Sequence, residues 1–134
     1  MIMAQSIFDI AGSAMRAQSL RLNTTASNLA NASSVASTPE EAYRARHPVF
    51  AAVLENEIGG VRSRGVVEST RDPEMRYEPG HPMANEEGYV FGSNVDNVEE
   101  MANMMSASRS YQSNVDMIST VRQLMLQTLK MGDS

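Results

Sequence analysis

Large apolar residues return at every seventh position near the start of the chain: Phe8, Met15, Leu22 and Leu29. Small or polar residues, Ala11, Gln18, Thr25 and Ala32, hold the intervening positions. A seven-residue repeat of this kind predicts a helix with a seam of a- and d-type positions, over about residues 4–31. Small residues on the seam let a second backbone approach closely. Ile7, Ile10 and Leu20 fall off it, so more than one face is apolar. The same pattern returns near the other end, where Met104, Tyr111, Ile118 and Met125 alternate with Ala107, Asn114, Val121 and Thr128. Met101, Val115 and Leu129 widen that stripe, and a second helix is expected over about residues 96–131. Asp96 with Glu99 three residues on is an N-cap with a carboxylate at N3, and Glu99 and Glu100 complement the positive end of the helix dipole. Lys130 in the last turn and Gly132 after it suit a helix end.

The region between the helices changes pattern. Residues 33–41, Ser-Ser-Val-Ala-Ser-Thr-Pro-Glu-Glu, read as a polar spacer and a loop. Residues 49–54 and 61–68 read as strands, with Gly59-Gly60 as the hairpin turn between them. Asp72-Pro73, Pro79-Gly80 and His81-Pro82 are breakers, and Gly88 and Gly92 flank a short apolar run, Tyr89-Val90-Phe91. The expected class is α+β, with long terminal helices pairing as a coiled-coil-like hairpin around a small β-rich middle segment. The segments are 1–32 and 94–134 for the helical core and 33–93 for the middle, which is too small for much of a core of its own.

Composition sharpens this picture. The chain has 134 residues, 20% of them charged and 42% apolar, with no Trp and a net charge of -5. A mildly acidic balance disfavours nucleic acid and anionic membrane as partners. The helices are unusually poor in charge: between Met101 and Val121 only Arg109 and Asp116 carry one. A free-standing helix covers its outer face with Lys and Glu, so these helices are expected to meet other protein and to order fully in an assembly. Six of the 11 methionines lie in the second helix. They read either as core filler or as a surface that adapts to non-identical neighbours. The absence of Cys removes disulfides, thiolate metal sites and a Cys nucleophile. The N-terminus has no basic region before its apolar stretch, and Asp9 interrupts that stretch, so no cleaved signal is expected. No run approaches the ~18 apolar residues of a membrane span. His47 and His81 stand beside prolines without ligand-spaced partners, so no metal is expected. No nucleophile–base motif or phosphate-cradling loop appears, and neither enzymatic activity nor a cofactor is expected.

Two runs carry a family resemblance. Thr25-Ala26-Ser27-Asn28-Leu29-Ala30-Asn31-Ala32 resembles the N-terminal signature of bacterial flagellar rod, hook and hook-associated proteins. Asn94-Val95-Asp96, Glu100-Met101 and the run from Ser106 to Asn114 resemble the matching C-terminal signature. Length, spacing, Tyr43-Arg44-Ala45 and the run from Tyr77 to Pro82 are most similar to the proximal-rod members of the basal-body rod family. Two positions depart from the wider pattern: Tyr43 follows Ala42 after a longer spacer, and Ser113 stands where relatives often have Ala.

The resemblance implies a structural subunit exported unfolded by the flagellar type III apparatus without a cleaved signal peptide. It further implies stacking into a helical periplasmic tube that transmits torque, in contact with other rod proteins, further copies of itself, and ring and export-gate components. Neither nucleic acid nor membrane insertion is implied. The alternative is another helical structural or adaptor subunit of a type III secretion system, although a β-rich middle favours the rod. Candidate interface residues are the seam positions Phe8, Met15, Leu22, Leu29, Met104, Tyr111, Asn114, Ile118 and Met125, with Leu129 beside them. The resemblance adds Asn28, Asn31 and Gln112. Asn28 and Asn31 read alternatively as satisfied side chains at a helix end, and Tyr111 as core packing. Arg109, the lone cation of its stretch, is either solvated or ion-paired with a carboxylate of the first helix, such as Asp9, or of a neighbouring subunit.

Overall fold

The computed structural model describes residues 2–55 and 58–132. Helix α1 spans Ile2–Ala30 and helix α2 spans Asn97–Gly132. At 1.5 Å per residue they are about 43 and 54 Å long. The start of α2 follows from its cap: Asp96 Oδ1 accepts hydrogen bonds from the backbone N–H of Val98 (3.0 Å) and Glu99 (3.2 Å). Two of the four N–H groups that a helix start leaves unpaired are thereby satisfied.

Among the described residues, five strands lie between the helices: β1 (Val35–Ala36), β2 (Arg46–Glu55), β3 (Ile58–Glu68), β4 (Met75–Tyr77) and β5 (Tyr89–Gly92). They form two antiparallel sheets, a β2–β3 ribbon and a three-stranded sheet in the order β1-β5-β4. Three details differ from the sequence reading. Gly59 and Gly60 are not the hairpin turn but lie within β3, opposite Leu54 and Val53. At Gly60 the missing side chain serves packing, because a Cβ there would sit 3.1 Å from Ser13 Oγ of α1. The same hydroxyl accepts a hydrogen bond from Val61 N at 3.1 Å, so ribbon and helix approach at backbone distance. The polar spacer also contributes a strand, since Val35 and Ala36 pair with Gly92 and Phe91. Finally, β4 had no alternating apolar signal, and all three of its residues are exposed.

The helices run antiparallel. Asn28, near the end of α1, bonds Glu100 near the start of α2, while Arg21, two turns earlier, reaches Asn103 (3.2 Å) and Ser106 (3.4 Å) further along. Ala11 and Thr25 of α1 and Ala107 of α2 are buried, and all three are d-type seam positions. The a-type residues Phe8, Met15, Leu22, Leu29, Met104, Tyr111, Ile118 and Met125 are half-buried. Ala17, off the seam, is buried and lines a cleft against the ribbon, so α1 packs on two sides. The register set at Asn28–Glu100 brings α1 to its end near Met125, and the last turns of α2 extend past it.

Candidate assembly surface and the polar knot behind it

One end of the helix pair is tied to the middle segment by a buried polar knot. Asn28 has no solvent exposure. Its Nδ2 donates to the Arg46 carbonyl (2.8 Å) and to Glu100 Oε2 (3.0 Å). Its Oδ1 accepts from Arg46 N (2.9 Å) and from the Tyr43 hydroxyl (2.9 Å). The amide thus pairs with both backbone groups of Arg46, as a neighbouring strand would, at the first residue of β2. All four hydrogen-bonding positions of the side chain are used.

Glu100 is 2% exposed. A buried carboxylate is costly unless it is compensated. Here Asn28 donates to it, the positive end of the α2 dipole lies beneath it, and His47 Nδ1 stands 4.0 Å from Oε1. Tyr43 meets Ser27 as well (3.2 Å), closing the ring back onto α1.

A second clasp lies beside the first. Asn94 Oδ1 accepts from Ala45 N (2.6 Å), and Nδ2 donates to the carbonyls of Arg71 (2.9 Å) and Ser69 (3.3 Å). Arg44 Nη1 reaches the same two carbonyls. Ser93 Oγ donates to the carbonyl of Ala32 at 2.6 Å, joining the end of α1 to the strand that leads into α2. Together the clasps anchor both helices and both sheets to each other through short polar side chains, where apolar bulk is scarce. The buried apolar residues are Val90 and alanines.

Away from the knot the picture reverses. Among the described residues of α2, only Glu100 and Ala107 are buried. Val98, Met101, Met105, Leu124, Leu126 and Leu129 are all more than half exposed. A monomeric surface rarely carries so many large apolar side chains along one element.

The residues proposed from sequence are therefore divided. The seam residues Phe8, Met15, Leu22, Leu29, Met104, Tyr111, Asn114, Ile118 and Met125 are half-buried, and Leu129 is exposed. Asn28 is the clear correction: it is enclosed within one chain, with every hydrogen bond made internally. Asn31 is half-buried and donates from Nδ2 to the Ser27 carbonyl (2.8 Å), which finishes α1. Gln112 is exposed and donates to Asp116 Oδ1 (3.1 Å) one turn on, and Asn114 bonds the Ser110 carbonyl of its own helix. Arg109 is exposed and forms no ion pair with Asp9 among the described residues. The antiparallel pairing places Asp9 level with a part of α2 well beyond Arg109.

Sequence reasoning missed Glu100, Tyr43, Arg46 and Asn94 as structural anchors. One signal pointed to Glu100: it falls seven residues before Ala107, on the d-type seam, where a carboxylate has no place unless it is paired. Among the described residues, no group of His, Asp and Glu is placed to hold a metal ion, and no helix is long and apolar enough to cross a membrane.

Comparison with known proteins matches both ends of the chain. Residues 86–131 match the family model described as flagellar basal body rod FlgEFG protein C-terminal, and residues 8–36 match the model for flagella basal body rod protein. The Asn28–Glu100 bond joins one matched segment to the other. Over nearly the whole length the chain is similar to proteins named flagellar basal-body rod protein FlgC. The Salmonella typhimurium protein is 52% identical over 129 residues, covering 95% of this chain and 96% of the relative. The Yersinia enterocolitica protein is 49% identical over the same shares of the two chains. A Buchnera aphidicola relative, from the subspecies Acyrthosiphon pisum, is 39% identical over 96% of this chain and 97% of its own.

Proposed function

The chain belongs to the FlgC family of flagellar basal-body rod proteins, and on that premise we propose that the exposed apolar face of α2 is the surface through which it enters the rod. It is a structural subunit of the proximal rod, located in the flagellar basal body, in a family that is not enzymatic. The reading as a subunit of another type III secretion apparatus is not favoured, because the similarity to flagellar rod proteins spans 95% of the chain.

The observation that carries the proposal is α2 itself: 36 residues long with two buried side chains. Burying a Leu or Met side chain contributes about 1.5–3 kcal/mol. The six exposed apolar residues named above therefore represent a large unused driving force that only neighbouring protein can satisfy. On this reading the two helices act as a coiled-coil-like hairpin. Phe8, Met15, Leu22 and Leu29 face Met104, Tyr111, Ile118 and Met125 across it, and Asn114 and Arg109 lie at its margin. Leu129, Gln112 and Asn31 belong to the contact set with neighbours.

Repeated head-to-tail contacts of such hairpins generate an open helical tube rather than a closed ring. The tube would cross the periplasm and carry torque, touching other rod proteins, ring and export-gate components. The scarcity of large buried side chains favours threading unfolded through an export channel. Replacing Met105 with Lys and Leu129 with Glu should leave the isolated chain folded and abolish rod assembly. The measurement is motility and electron microscopy of basal bodies in a strain lacking the native copy. Normal rods from that variant would refute the assignment of this face.

A further inference from the structure

The cleft between the N-terminal half of α1 and the β2–β3 ribbon has a volume of about 570 Å³ and carries Arg16 and Arg62 on its walls. Among its described lining residues Asp9 is the one carboxylate, and Ser13, Ser63 and the bare backbone of Gly59 and Gly60 add polar lining. Arg16 and Arg62 are exposed, and neither forms an ion pair among the described residues. Two guanidiniums sharing a concave site with one described carboxylate are unexpected in a chain whose net charge is -5. A guanidinium presents a planar fork that matches a carboxylate.

The complementary feature is in the same chain. Glu86 and Glu87 are adjacent, exposed and without an ion pair among the described residues. The turn that displays them is held rigidly. Asn85 Oδ1 accepts from the backbone N–H of Glu87 and of Tyr89, both at 3.0 Å. The Asn85 carbonyl accepts from Gly88 N (3.0 Å), and Asn85 N donates to the Tyr89 carbonyl (2.9 Å). A preorganised loop loses little entropy on docking. This turn belongs to the β1-β5-β4 sheet, which joins the C-terminal end of α1 where Ser93 grips Ala32. The cleft lies beside Ser13, about 26 Å from the end of α1 at 1.5 Å per residue. The two charge sets therefore do not meet within one chain.

We propose that the Glu86–Glu87 turn of one copy docks into the Arg16–Arg62 cleft of a second copy. The contact is heterologous, joining unlike surfaces of successive copies, and it rests on the assembly reading above while adding a specific partner and register to it. Charge pairing at the rim of such an interface sets register and choice of partner, with the apolar face of α2 supplying the bulk of the attraction.

The test uses the full chain expressed in a strain lacking its native copy. Three variants are compared: Arg16→Glu with Arg62→Glu, Glu86→Arg with Glu87→Arg, and all four changes in one chain. Loss of rod-bearing basal bodies in each double variant, with recovery in the fourfold variant, supports the contact. Normal rods from either double variant overturn it and leave the α2 reading untouched. Loss in the double variants without recovery in the fourfold one overturns a second copy as the occupant. The milder pair Arg16→Gln with Arg62→Gln, together with urea unfolding of each purified chain, shows whether a loss comes from misfolding. The Met105→Lys, Leu129→Glu variant in the same strain separates failure of this contact from failure of the α2 surface.

Discussion

Replacing Asn28 with Ala removes the centre of the polar knot, and its cost can be worked from the contacts. Four hydrogen bonds disappear, at about 1 kcal/mol net each. One of the four is the amide donor to the Glu100 carboxylate, which is 2% exposed and loses that partner. Opposing this, Ala is the better helix former by up to about 0.7 kcal/mol. Water entering the vacated space would recover part of the penalty. The loss should fall near 3–4 kcal/mol by these same terms, a large share of the roughly 5–15 kcal/mol that holds a small domain together.

The assay is urea unfolding of the purified chain followed by circular dichroism. With a slope of about 1–3 kcal/mol/M, the midpoint should fall by about 2 M. Asn28→Asp is the sharper companion. It has nearly the same shape, but it exchanges the donor for a second carboxylate facing Glu100 Oε2 at what is now a 3.0 Å contact. If Asn28 merely fills space, the Asp variant will behave like the native chain. If the hydrogen-bond account is right, it will be no more stable than the Ala variant. A midpoint shift worth less than about 0.5 kcal/mol for Asn28→Ala, the usual size for a surface change, would refute the reasoning.

Asn94→Ala should cost about 2–3 kcal/mol in the same unfolding experiment, since it strips a partner from Ala45 N and from the carbonyls of Ser69 and Arg71. Gly88→Ala should destabilise by at least about 1 kcal/mol, because Gly88 sits at φ 86° and a Cβ there would lie 2.9 Å from the Tyr77 ring. Thermal melting would show it, and an unchanged melting temperature would contradict the geometry. Asp96→Ala should cost about 1 kcal/mol by loss of the α2 cap. Faster hydrogen exchange should then be confined to the first turn of α2, and protection equal to the native chain would count against the cap.

The two helices, their cap and the α+β class were legible because each rests on local physics. A seven-residue repeat reports its face regardless of what packs there, and Asp96 followed by Glu99 caps a helix wherever it occurs. The ribbon was legible for the same reason, although its glycines were not. Gly59-Gly60 carries a turn signal by composition, and only the approach of Ser13 accounts for a bare Gly60 inside a strand. β1 and β4 were hidden because two or three residues with no alternation take their conformation from β5.

The candidate surface was half visible. The scarcity of charge along α2 was plain in the sequence, and the fold leaves Val98, Met101, Met105, Leu124, Leu126 and Leu129 more than half exposed. What tertiary structure alone decided was the role of the polar residues. Asn28 read either as a contact with neighbours or as a satisfied side chain at a helix end, and it is enclosed; Glu100 read as complementing the helix dipole, with nothing to show that it is also buried. Burial of a polar side chain depends on whether distant polar groups arrive to satisfy it. For Asn28 those groups belong to Arg46, 18 residues on, and Glu100, 72 residues on. No periodicity in a linear chain encodes that meeting; it exists only once the antiparallel helices bring the two ends together.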